Sequence, residues 1–171
     1  SKLALDAGFD EINYDYIRFP TDGNLSAMVY PAWDEQTPKH EVIKKFALRA
    51  REVLKAHAPN MSLSIDIFGY TFIESNNLGI GQRLEDMIEA FDFVYPMVYQ
   101  SHYSAGNFGF TNPADHPYEV VKGTLESGLA KMGENATSSA HRIRPWLQSF
   151  NLGAMYTADM MRAQIQGTRD G

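Results

Sequence analysis

Cysteine is absent from the 171-residue chain. Thiolate metal sites, disulfide frameworks and cysteine nucleophiles are therefore excluded, while the cellular compartment is left open. Long apolar runs are missing as well, and no stretch approaches the roughly 18 residues of a membrane helix. Positive charge is in short supply: 15 Lys and Arg stand against 21 Asp and Glu, for a net charge of −6. A nucleic-acid binder needs a basic face, which argues against nucleic acid as a partner. The five histidines form no His-x-x-x-His and no Glu-x-x-His pair, so no metal or other cofactor is expected. The glycine-rich phosphate fingerprint is lacking too, because Gly79-Ile80-Gly81 has no third glycine.

What is present is a globular composition, 44% apolar and 12% aromatic, with one alternating pattern. Four segments rich in β-branched and aromatic residues read as strands: 11–19, 61–68, 93–99 and 143–150. Helical spacing separates them. Thr37-Pro38 supplies a cap and a first-turn proline, followed by Ile43, Phe46, Ala47, Ala50 and Leu54. Shorter patterns run through Leu84, Met87, Ile88 and Phe91, from Pro117 through Leu129, and after Thr157. A helix followed by four β-α units implies α/β architecture with a parallel sheet. Links from helix to strand are mostly tight. The strand-to-helix loops at 21–36, 70–81 and 100–116 are long, which is uncommon unless they are functional. All three follow strand C-termini, the face that carries active sites in (β/α)8 barrels and in doubly wound sheets.

Polar residues inside the strands mark that face. Alternation puts Asn13, Asp15 and Ile17 on one side of the first strand, and Ser62, Ser64, Asp66 and Phe68 on one side of the second. Leu63, Ile65 and Ile67 take the opposite side, which suits packing under helices. Two carboxylates held near each other at strand ends could serve as acid and base, or acid and nucleophile, in glycoside hydrolysis. Asp15 and Asp66 are thus the candidate catalytic pair; the alternative for Asp15 is a structural pairing with Arg18 or a lysine. Candidate substrate-binding residues are Asn13, Arg18, Glu74, Tyr99, His102, Trp146 and Gln148. Tyr99 could donate to a sugar oxygen and Trp146 could stack on a sugar ring, though core packing explains many such aromatics. His102 could act as a base or simply occupy a surface loop. Gln148 needs hydrogen-bond partners that a polyol would provide. Glu74 could reach the site from its loop.

The segment Gly8-Phe9-Asp10-Glu11-Ile12-Asn13-Tyr14-Asp15-Tyr16-Ile17-Arg18-Phe19-Pro20-Thr21-Asp22-Gly23 resembles the glycosyl hydrolase domain of bacterial proteins filed as a domain of unknown function. Ser64-Ile65-Asp66-Ile67-Phe68-Gly69, Tyr95-Pro96-Met97-Val98-Tyr99 and Arg144-Pro145-Trp146-Leu147-Gln148-Ser149-Phe150 support the likeness in order along the chain. The resemblance implies a partial (β/α)8 TIM barrel of about four consecutive β/α units, strands four to seven of the whole. It also implies a secreted or envelope-associated protein acting on a polysaccharide or cell-envelope glycan. A more distant similarity is to family 18 chitinases, where Asp15 matches the last Asp of the strand-four pattern. Ile17, however, stands in place of the acid Glu, and Gln100 replaces the Asp after Met-x-Tyr, so the chitinase mechanism does not carry over. A carbohydrate-binding pseudoenzyme of the same fold is the alternative.

A barrel of this type typically takes about 250 residues. The chain begins in a helix and stops at a helix C-terminus, so residues 1–171 are expected to be a single glycoside-hydrolase-like barrel fragment truncated at both ends. A half barrel exposes sheet edges and an apolar lumen face. The missing half, or self-association, is the expected cover.

Overall fold

The computed structural model describes residues 1–171 apart from Asn77. The elements are α1 (Lys2–Asp6), β1 (Glu11–Tyr14), α2 (Lys39–His57), β2 (Ser62–Phe68), α3 (Tyr70–Ile73), α4 (Leu84–Ala90), β3 (Phe93–Val98), α5 (Pro117–Met132), α6 (Ala136–Ser139), β4 (Trp146–Leu147) and α7 (Ala158–Asp170), with short 3-10 turns in the loops. The strands are hydrogen-bonded in the order β1-β2-β3-β4, and the described registers are parallel, pairing Asn13 with Ser64 and Met97 with Trp146. Sequence order and parallel pairing with intervening helices make this an α/β fold with the topology of a partial (β/α) barrel. By contacts the chain forms two compact units, Ser1–Ile67 with Glu74–Val94, and Phe68–Ile73 with Tyr95–Gly171.

In the first unit, β2 carries the core. Leu63, Ile65 and Ile67 are fully buried, together with Leu84, Met87, Phe91 and Val94, while α2 contributes Ile43, Ala47 and Leu54. Phe46, on the same helical spacing, stays partly exposed and meets Tyr14 edge-on at 5.8 Å. The cap of α2 differs from its sequence reading. The helix starts at Lys39, and the Thr37 hydroxyl donates to Asp34 Oδ2 instead of capping. Three donors on Asp34, the Thr37 amide and hydroxyl and the Gln36 amide, hold its carboxyl below the usual range.

Two predicted strands are shorter than their sequence patterns, for physical reasons. The first ends at Tyr14 because Tyr16 takes a left-handed backbone, φ 58°, which ends the pleat. Beyond it, Phe19 N–H donates to Ile80 O and Gln82 Nε2 donates to Ile17 O, so the continuation is tied to a loop. The last strand reduces to Trp146–Leu147. Pro145 has no N–H to give a ladder, and the Gln148 amide donates to the Gln164 side chain. Strands 2 and 3 match their patterns within a residue.

In the second unit, α5 packs against α7 and α3. Two glycines permit the close approach. A Cβ at Gly167 would stand 2.6 Å from Tyr118 O, and one at Gly128 would collide with the ring of buried Phe72. Thr157 caps α7 as its sequence predicts, accepting from Met160 N–H at 3.3 Å.

An ion-paired carboxylate ties the start of β2 to the start of β3. Asp92 accepts from Arg51 at 2.9 Å, Lys55 at 2.8 Å and the Leu63 amide at 2.9 Å. Burial works against the charge, but Lys55, the Leu63 amide and Arg51 outweigh it and hold the carboxyl below its ordinary value. A depressed folded-state value stabilises the protein above the unfolded carboxylate pKa of about 3.9. That stabilisation fades as pH falls through the folded value. Asp92→Asn should cost about 1–2 kcal/mol at pH 7, kept small by solvent screening of the ion pairs, and should flatten the acid side of a melting-temperature profile. A variant profile parallel to wild type down to pH 2 would sink this assignment.

Candidate active site

In the first unit the parallel register places Asn13 beside Ser64, and the face opposite the core carries Glu11, Asn13, Ser64 and Asp66. These four form one chain of polar contacts. Ser64 Oγ lies 2.6 Å from Glu11 Oε1 and 2.9 Å from Asn13 Oδ1, so its single proton serves two acceptors. Asn13 Nδ2 donates to Asp66 Oδ1 at 3.0 Å. Ser64 is fully buried and Asp66 nearly so, at 8% exposure. A carboxylate at this depth requires donors, and Asn13 supplies one with a fixed direction. From behind, the buried Gln82 donates to Asp66 O at 3.4 Å as well as to Ile17 O at 3.2 Å. The backbone at the end of β2 is thereby joined to the segment that follows β1.

Asp15 sits one residue past the end of β1 and is exposed. The alternation that would turn it inward beside Asn13 does not extend to it, because the strand stops at Tyr14. Arg18 lies over the Tyr16 ring at 4.7 Å and donates to Phe19 O and Thr21 Oγ1. Glu74 is exposed in the loop after α3. Ile17 is half-buried and offers no acid.

The second unit contributes an aromatic face on β3 and β4. Tyr95 meets Trp146 edge-on at 6.0 Å, and Arg144 Nη1 donates to the Tyr95 hydroxyl at 3.2 Å. Trp146 leaves 46% of its surface exposed. Tyr99, just beyond β3, meets both Phe150 (5.5 Å) and the exposed His102 (5.6 Å) edge-on.

Gln148 is fully buried and makes its bonds internally. Its Oε1 accepts from Ser101 N–H at 3.0 Å, and its Nε2 donates to Phe150 O and Leu152 O. Gln164 clasps the Gln148 backbone from both sides and accepts from Gln100, which in turn accepts from the Tyr156 hydroxyl. Burial pushes the Tyr156 hydroxyl up to about 12, with Asp115 adding to it. Three buried glutamines therefore lock the loops that present Tyr99 and Phe150. The polyol that the sequence assigns to Gln148 is replaced by its own chain.

Alternation puts Ser64 on the Asp66 face without giving its partners, and it does not single out Glu11 or Phe150 as site residues. Glu11 shares parity with Asn13, so the alternation that found Asn13 also contains Glu11. Ser64 required the register, and Phe150 required the path of the loop after β4. Among the described residues no group of three or more His, Asp or Glu could hold a metal ion. A cavity of about 580 Å³ lies along α2, from Trp33 and Asp34 to Leu48, but none of the candidate residues lines it.

A sequence-ordered, parallel β/α topology places the chain in the class of partial (β/α) barrel proteins. The whole chain, residues 1–171, matches the profile of one family, and it belongs to that family, described as "Putative glycosyl hydrolase domain". Among solved structures it is similar to the glycoside hydrolase domain of PgaB (BpsB) from Bordetella bronchiseptica, with TM-score 0.51 and 14% identity over 77% of this chain. At that identity the likeness shows the fold. The match covers 34% of that domain's chain. A comparison with curated proteins finds no match. No described helix is long and apolar enough to cross a membrane.

Proposed function

We propose that the chain is part of a glycoside hydrolase acting on a polysaccharide or cell-envelope glycan, with Asp66 and Asp15 as its carboxylates. The observation that carries this is the Asn13–Asp66 pair. A nearly buried carboxylate on the sheet face, oriented by a donor that is itself held by Ser64, has the fixed geometry an acid/base or nucleophile needs. Asp15, exposed just past β1, is the second carboxylate of the pair, free to meet substrate or water. Trp146, Tyr95, Tyr99, Phe150 and His102 give ring faces and edges against which sugar rings can pack. Secretion or envelope association belongs to the same proposal, and so does cover of the open sheet edges by the rest of the protein or by a second copy.

Ile17 favours a second reading. An apolar side chain stands where the related chitinase pattern has its proton donor, which fits a glycan-binding protein without turnover. The test is direct. The full-length protein, incubated with soluble polysaccharides, should release new reducing ends, and Trp146→Ala should weaken glycan binding about tenfold. Glycan binding with no release of ends would move the protein to the second reading. Absence of both would remove both.

A further inference from the structure

The long loop 21–36, with Pro20 and Lys39, lines an open cavity that the residues above do not explain. Its volume is about 270 Å³, and its walls include Pro20, Ser26, Tyr30, Trp33, Glu35 and Lys39. At roughly 30 Å³ per water, that is space for about nine waters, close to the size of one hexose ring. The aromatic side chains around it pack on one another. Phe19, Tyr30 and Trp33 form a three-ring cluster with centroids 5.0–5.8 Å apart. The Trp33 indole N–H donates to Thr37 O at 2.8 Å, which fixes the plane of the ring. Lys39 Nζ stands 5.1 Å from the Phe19 centroid and 5.8 Å from that of Trp33, and donates to Gly79 O at 2.9 Å. Two of its three N–H donors have no hydrogen-bond partner among the described residues.

Glu35 is the second polar element. Its backbone takes φ 58°, a left-handed conformation that costs a non-glycine residue energy. The carboxylate has no hydrogen bond or ion pair among the described residues. The result is an aromatic wall with one carboxylate and one ammonium at the same cavity, the combination that recognises a pyranose. The Tyr30 and Trp33 rings that line the cavity pack on C–H groups while the charged groups bond to hydroxyls. Topology places it suitably. The helix after a strand begins at that strand's C-terminal end, so Lys39, the first residue of α2, lies toward the end of β1 that continues from Asp15 to Pro20. The 580 Å³ cavity follows α2 as far as Leu48, away from that end.

We propose that this loop cavity is a sugar subsite that holds one pyranose unit of the glycan through Trp33, Tyr30, Glu35 and Lys39. The inference rests on the glycan-acting reading above. Its test uses the full-length protein and four probes: cellohexaose, maltohexaose, chitohexaose and deacetylated chitohexaose. The indole ¹⁵N–¹H resonance of Trp33, assigned by its loss in Trp33→Phe, should shift on titration with at least one of them. Glu35→Gln should weaken that binding about tenfold or more, as loss of charged hydrogen bonds does. Glu41→Gln, which lines only the larger cavity, should leave it unchanged. A Trp33 signal unmoved by all four probes would overturn the subsite. So would weakening by Glu41→Gln with none by Glu35→Gln. Probe hydrolysis with Trp33 unmoved removes the subsite and keeps the hydrolase reading. Binding at Trp33 without hydrolysis keeps the subsite and removes the hydrolase.

Discussion

Asp66→Asn in the full-length protein should lower hydrolysis by about 10³-fold or more while leaving the melting temperature nearly unchanged. The two side chains are isosteric, and an amide oxygen at position 66 can still accept from Asn13 Nδ2, which lies 3.0 Å from Asp66 Oδ1. The fold therefore keeps the Asn13 contact, while the acid/base and nucleophilic chemistry of the carboxylate is lost. Positioned proton transfer is worth about 10²–10⁴-fold, and a nucleophile at least as much. Asp15→Asn should have an effect of similar size and should barely disturb the fold, because Asp15 is exposed beyond β1. Reducing-end release measured beside a thermal melt separates the two effects. Turnover that survives both substitutions would end the assignment of these carboxylates.

The second large effect is on stability. Gln148→Leu removes the acceptor of Ser101 N–H and the donor to Phe150 O and Leu152 O at a fully buried position. Each stranded polar group costs about 1–3 kcal/mol, and Leu152 is exposed enough for water to relieve part of the loss. A net loss of about 3 kcal/mol is expected, on the order of 6–12 °C in melting temperature for a domain of this size. Gln148→Glu keeps the acceptor for Ser101 N–H but turns a carboxylate oxygen toward the Phe150 and Leu152 carbonyls at a fully buried position, so at pH 7 it should cost at least as much as the Leu variant. The measurement also decides between two roles for Gln148. A glycan contact predicts weakened binding with an unchanged melt, whereas a loop lock predicts the reverse order of effects.

Asp66 and Gln148 differ in how much of their setting local sequence pattern reveals. Asp66 was visible because a charged residue inside an apolar, alternating strand has one strong explanation, a polar face. Its donor Asn13 was visible on the same grounds. Gln148 was visible as a polar strand residue, but its partners were not. They come from the loop after β3, the loop after β4 and the α7 helix, and no local pattern pairs residues 16 to 47 positions apart.

The sequence by itself determined the class of fold. The β-α alternation, the buried triple Leu63, Ile65 and Ile67, the Thr157 cap and the absence of cysteine are local or compositional, set by the period of the backbone and the cost of burying polar groups. Tertiary structure decided where the strands stop and what the polar residues do. Tyr16 turns left-handed and releases Asp15 to solvent. Ser64 reaches Asn13 only through the register. Tyr30 and Trp33 line a cavity only when loop 21–36 folds onto Phe19 and Lys39. Such contacts join residues distant along the chain, and their energies depend on the whole packing, which a periodic pattern does not encode.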